Sequence, residues 1–176
     1  MSRASTYGQH TMTSESVSAT TTIGAAAETV FAVLTNPARH AAIDGTGWVC
    51  EAIDPEPITA SGQVFRMNMF HPKHPDGNYE MHNLVLDFEQ DRAIAWRPGF
   101  VEDASTGELG FGGWTWRYDL TPSGADACKV IHTSDWSAVG PEPRKHLQFP
   151  PFPEDHLANS LNHLSDMTTG LGQTPA

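Results

Sequence analysis

Apolar and polar positions change period several times along this chain, and each change marks an element. From about Ser16 the sequence builds to Thr20, Thr21, Thr22 and Ile23, a β-branched run that predicts a first strand, stopped at Gly24. Ala27, Val30, Phe31 and Leu34 then recur at i, i+3, i+4 and i+7, the stripe of an amphipathic helix. Asn36-Pro37 offers an N-cap followed by proline at a first helical position, so a second short helix should start there and end at Asp44-Gly45-Thr46-Gly47.

The middle of the chain alternates with a period of two. Phe65, Met67 and Met69 share one strand face, and Met81, Asn83 and Val85 share another, with a hairpin connection at 71–78 between them. Ile94 and Trp96 mark a fifth strand, which Pro98-Gly99 should end, and 99–113 reads as a long Gly-rich connection. Trp114, Trp116, Tyr118 and Leu120 alternate with Thr115, Arg117 and Asp119, and a last strand runs from Cys128 to Trp136. Five prolines, at 141, 143, 150, 151 and 153, make 137–153 a surface crossing. A final helix should begin at Pro153, with Leu157, Leu161, Leu164 and Met167 as its apolar stripe and Gly170 as its stop. The fold class that follows is α+β: a seven-stranded curved antiparallel sheet wrapped around a long C-terminal helix, with two short helices after strand 1. One domain over 16–169 is expected, with tails at 1–15 and 170–176.

Charge narrows the partners. With 21 acidic and 10 basic residues the net charge is −11, and Arg144-Lys145 is the only adjacent basic pair. Polyanions need clustered cations, so nucleic acid is an unsuitable partner. No apolar run reaches the length of a membrane span, and the N-terminal residues lack the apolar stretch of a secretory signal. Cys50 and Cys128 stand far apart without C-x-x-C spacing, which predicts free thiols in a reducing, cytoplasmic compartment.

The segment T-I-G-A-A-A-E-T-V-F-A-V-L-T-N-P-A-R-H, followed by D-G-T-G, W-T-W-R-Y-D-L, V-I-H-T-S-D-W and H-L-A-N-S-L-N-H-L, resembles the polyketide cyclase/dehydrase-like group of the START-like (SRPBCC, helix-grip) superfamily. The resemblance extends from about Ser16 to Thr168. It implies a sheet gripping the C-terminal helix around an apolar cavity. It does not imply one activity, because members of that superfamily carry lipids, bind hormones, cyclise polyketides or assist other proteins on one scaffold. The His-Pro-Lys-His-Pro hairpin, the 99–113 connection and the Pro-rich 137–153 segment depart from its usual pattern and would reshape a cavity mouth.

Candidate site residues follow from strand parity. Phe65, Met67, Met69, Met81, Asn83, Trp96, Trp114, Trp116, Tyr118, His132, Leu157 and Leu161 should line the interior as ligand-binding residues; packing beneath the final helix is the alternative use for each. His132 shares its parity with Cys128, Val130, Ser134 and Trp136, so an imidazole should project into an apolar interior. There it could act as acid or base, with Asn83, Asp135 or Tyr118 as a helper if they converge. Asp44 should form a turn. His71 and His74 lack a third ligand at zinc spacing, so no metal is expected. Without a G-x-S-x-G, a P-loop or a G-x-G-x-x-G after a strand, no cofactor is expected either.

Three functions fit. The first is binding of a hydrophobic small molecule, such as a lipid, polyketide or isoprenoid-like compound, between sheet and helix. The second is a polyketide cyclase or dehydratase using the same cavity. The third is a protein-interaction module anchored by exposed Phe149 and Phe152.

Overall fold

The computed structural model describes residues 12, 13 and 15–170. Alternating segments build one antiparallel sheet from β1 (Met12–Thr13), β2 (Ser16–Ile23), β3 (Val49–Ala52), β4 (Val64–Phe70), β5 (Asn78–Glu89), β6 (Ala93–Asp103), β7 (Glu108–Phe111), β8 (Thr115–Pro122) and β9 (Cys128–Asp135). The strand order is β1-β2-β9-β8-β6-β5-β4-β3, with β7 added alongside β6. Helices α1 (Ala27–Leu34), α2 (His40–Ile43), α3 (Pro141–Arg144) and α4 (His156–Thr168) complete the chain. This is an α+β helix-grip fold. Helix α4 packs on β2, β9, α1 and α2.

The local causes are those the periodicity implies. Ala27, Val30, Phe31 and Leu34 are the buried residues of α1. Full burial of a side chain such as Phe31 or Leu34 contributes roughly 1.5–3 kcal/mol relative to exposure. The Asn36 side chain accepts a hydrogen bond from the Ala38 amide, and a 3-10 turn over Pro37–Arg39 leads into α2. Leu157, Leu161 and Leu164 turn the apolar stripe of α4 inward. On β9, Cys128, Val130, His132 and Ser134 alternate inward as a buried set.

The structure corrects four expectations. Pro98-Gly99 does not end the fifth strand, because β6 runs on to Asp103. Along that edge β6 pairs with β8 as far as Trp96 and with β7 from Gly99, so the donor-less proline falls between two partners. Residues 99–113 are therefore not a loose connection but contain a hairpin. Its Phe111 ring lies over Gly99, where a Cβ would approach within 2.6 Å of it. The final helix starts at His156 rather than Pro153, after a turn at 154–155, and the proline-rich segment contains the single turn α3. Finally, Met12–Thr13 pairs with Val17 and Ser16, so the sheet reaches into the expected N-terminal tail. Residues 1–11, 14 and 171–176 lie outside the described residues.

Across the outer face, Arg117 bonds Asp119 on its own strand and reaches over β6 to Asp87 on β5 at 2.8 Å. Asp54 receives the Arg66 guanidinium on two oxygens and the Arg66 amide on one. Both arginines are partly exposed, so these pairs set register more than stability.

Candidate functional site

Sheet register brings the inward-facing rings of four strands to one region. Trp96 on β6 pairs with Trp116 on β8, and Tyr118 on β8 pairs with His132 on β9, whose other neighbour is the small Ala19 on β2. The rings form a continuous column. His40 stacks on Trp96 at 5.4 Å with Phe65 edge-on to both, Trp96 leads to Tyr118 at 6.1 Å, and Tyr118 lies flat on His132 at 3.9 Å and 9°. Beyond His132 come Trp116 at 5.8 Å and His156 at 6.2 Å, and Phe152 closes the column against both.

Three members of this column are buried imidazoles. His40 is held low by burial, partly offset by its Nε2–H bond to the Leu34 carbonyl at 2.8 Å. His132 is pushed well below the ordinary histidine range by burial and by His156, with a backbone hydrogen bond at Leu157 opposing. His156 is also lowered by burial, against the pull of Asp44 and Asp155. All three rings are neutral at physiological pH. Burial, reinforced by Asp44, raises Tyr118 beyond any working pH, and a side-chain hydrogen bond with Ser160 works the other way. The phenol stays protonated.

Two nitrogens in the column are unusual. The Nδ1 atoms of His132 and His156 are buried without a hydrogen-bond partner, on residues 3% and 6% exposed. An unsatisfied buried polar atom costs about 1–3 kcal/mol, and such exceptions call for an explanation. The ring plane of His132 is held by the Tyr118 stack.

The turn after α2 positions the start of α4. The Asp44 carboxylate accepts from the Thr46 amide and hydroxyl and from the Val49 amide, a turn-forming role as the sequence implies. The Asp44 carbonyl accepts from His163 Nδ1 on α4 at 3.1 Å. Gly45 lies so close to α4 that a Cβ there would meet the His156 carbonyl oxygen at 2.2 Å. Only a residue without a side chain lets this turn press on the helix.

Of the residues proposed from parity, Phe65, Met67, Asn83, Tyr118, His132, Leu157 and Leu161 are buried, and Met69, Met81, Trp96, Trp114 and Trp116 are half-buried. Tyr118 converges on His132. Asn83 does not: on β5 it pairs with Phe65 of β4 and Pro98 of β6, with β6 and β8 between it and β9. Asp135 instead caps the turn at Ser137. Phe149 and Phe152 are not exposed anchors. Phe152 is buried against Trp116 and His156, and Phe149 is half-buried beside Trp114, because the proline-rich segment folds its rings onto the sheet's open end.

His40, His156 and Ser160 escaped the sequence reading. His156 and Ser160 are one helical turn apart on α4 beside the leucine stripe, where polar residues read as solvent-facing. A concavity of about 400 Å³ lies elsewhere, on the surface between Ala26–Glu28, Gln90–Arg92 and the turn at Pro122–Ala125.

No family model matches the chain, and no curated protein matches it. Solved structures do. The chain is similar to protein Ms6760 from Mycobacterium smegmatis, with a TM-score of 0.63 at 13% identity over 93% of this chain and 96% of that one. A Rhodobacter sphaeroides protein gives 0.63 at 16% identity, over 94% of this chain and 100% of that one. Norcoclaurine synthase from Thalictrum flavum, solved in complex with dopamine and hydroxybenzaldehyde, gives 0.58 at 16% identity, over 91% and 89%. At such identities the likeness establishes the fold alone. Among the described residues, no helix is long and apolar enough to cross a membrane.

Proposed function

We propose that this protein binds a flat hydrophobic small molecule between its sheet and α4, in a reducing compartment where Cys50 and Cys128 remain thiols. The observation that carries this reading is the orphaned Nδ1 of His132, set in an aromatic wall of Trp116, Tyr118, His156 and Phe152. A core required only to pack gains nothing from a buried acceptor that nothing satisfies. A ligand that reaches it would recover that cost and stack on the rings. The fold neighbour solved in complex with dopamine and hydroxybenzaldehyde is in keeping with small aromatic ligands on this fold.

Phe152 packs on Trp116 and His156 at the end of the column, and in this reading the proline-rich segment that carries it is the cover. Binding therefore requires that segment to lift. Native mass spectrometry and calorimetric titration with a panel of flat apolar compounds test the reading, on the wild type and on Phe152→Ala. Tighter binding by the variant is expected, and failure of both proteins to bind any member would overturn it.

The cyclase or dehydratase alternative is favoured by one observation, a neutral His132 in contact with the Tyr118 phenol. As a base His132 would take a proton from carbon next to a carbonyl, and the phenol would donate to the developing enolate oxygen. His132→Ala should then remove turnover and leave binding. Unchanged turnover would eliminate this chemistry at His132.

A further inference from the structure

We infer that the interior selects a ligand whose polar end is an uncharged hydrogen-bond donor, a hydroxyl on a flat apolar body, and rejects carboxylates and other anions. The inference rests on the binding reading above and narrows its substrate class.

It begins with which nitrogen of His132 carries the proton. The contact with the Leu157 backbone acts in the sense that favours a proton on the ring. Nδ1 is the atom left without a partner, and a neutral ring with its proton on Nε2 presents its lone pair there. An acceptor lone pair pairs with a donor; a carboxylate oxygen facing it would be repelled.

The surroundings carry the same preference. The groups packed on His132 are Tyr118, Trp116 and His156, none of them cationic. The charged groups that act on the site, Asp44 and Asp155, are both acidic. Arg144, on the proline-rich segment itself, lies over Phe149 and spends its guanidinium on the Val139 and Trp136 carbonyls. The N-terminal end of α4 would favour an anion, but Glu154 and Asp155 already occupy that position in the chain. An anion brought here would lose its water and gain no counter-charge. A hydroxyl would satisfy the orphaned nitrogen, an advantage of about tenfold in affinity for one recovered hydrogen bond.

Four probes that share one ring system separate the possibilities: 2-naphthol, naphthalene, 2-methoxynaphthalene and 2-naphthoate, titrated calorimetrically at pH 7.5 into the full chain and into Phe152→Ala. Naphthol should bind about tenfold tighter than naphthalene and the methyl ether, with naphthoate weakest. His132→Leu should bring naphthol level with naphthalene while naphthalene still binds, and a thermal melt checks that this variant is folded. Naphthoate matching naphthol in the wild type, or naphthol with no advantage over its ether, overturns the inference and leaves the binding reading standing. No binding by any probe to either protein overturns both.

Discussion

A methyl group at Gly45 would have no room, and the consequence can be worked out. Its carbon would stand 2.2 Å from the His156 carbonyl oxygen, 2.8 Å from His156 Nδ1 and 2.9 Å from the Ser160 amide, where ordinary contact begins at 3.4 Å. Two of the three obstacles are backbone atoms of α4, so no side chain can swing aside. Either the turn at 44–47 retreats by more than an ångström or α4 moves. Retreat would stretch the bond from His163 to the Asp44 carbonyl and disturb the turn that Asp44 organises. Overpacking of this kind costs about 1–3 kcal/mol, and a rigid obstacle puts Gly45→Ala at the upper end. Against that stands a gain of roughly 0.4–1 kcal/mol from a less flexible unfolded chain. A net loss of about 2 kcal/mol should lower the melting temperature by roughly 4–8 °C in a chain of this size. Gly24→Ala is the matched control, because a Cβ there meets nothing within 4 Å, and it should stabilise by about 0.4–1 kcal/mol. Calorimetric melts of both variants decide the matter. A Gly45→Ala protein as stable as the wild type, or shifted in the same direction as Gly24→Ala, would show that this turn does not press on α4.

Three further outcomes are expected. His40, His132 and His156 all have folded-state pKa values below the unfolded value of about 6.5, so the unfolded chain binds more protons below that pH. Their contribution is complete above about pH 7 and is lost as pH falls through 6.5, by up to about 1.4 kcal/mol per unit for each ring; urea midpoints between pH 7.5 and 5.5 should fall steeply, and less steeply in His132→Leu. Cys128 is fully buried with its thiol pushed up by burial, whereas Cys50 is half-buried, so a thiol reagent should find one cysteine in the native protein and the second only in denaturant. Asn36→Ala removes the cap on the Ala38 amide and should cost about 1 kcal/mol in chemical denaturation, with Asn36→Asp restoring most of it.

How much of this was legible in the sequence depends on whether a residue announces itself by periodicity. The stripe Ala27, Val30, Phe31, Leu34 and the leucines of α4 did, since burial follows apolar spacing on a helix. His132 did so through the mostly apolar residues of its own parity, Cys128, Val130 and Trp136. His156 could not: as a polar residue next to the stripe it reads as solvent-facing, and only the packing of Phe152 and Trp116 encloses it. Phe149 and Phe152 misled for a related reason. Proline-rich composition correctly predicts a loop, but it says nothing of whether the rings fold back. The β7 hairpin was hidden because Gly110 and Gly112-Gly113 suggest a flexible connection, whereas Gly110 in fact makes room for the Phe100 ring.

The ends of the aromatic column differ in what covers them, and this gives local opening a direction. At one end His40 is tied to the Leu34 carbonyl and wedged between Trp96 and Phe65, within elements held by helix and sheet hydrogen bonds. At the other end the cover is Phe152 on a segment whose only regular element is the four-residue α3. Local opening follows the weakest set of backbone hydrogen bonds, so the Phe152 end should open long before the His40 end. Arg144 then becomes the latch, since it joins α3 to the Val139 and Trp136 carbonyls and to Glu15. Arg144→Ala should raise amide exchange across 141–152 and leave α1 and β6 protected. Exchange rising first around His40 and Trp96 would show that the opposite end of the column opens more readily.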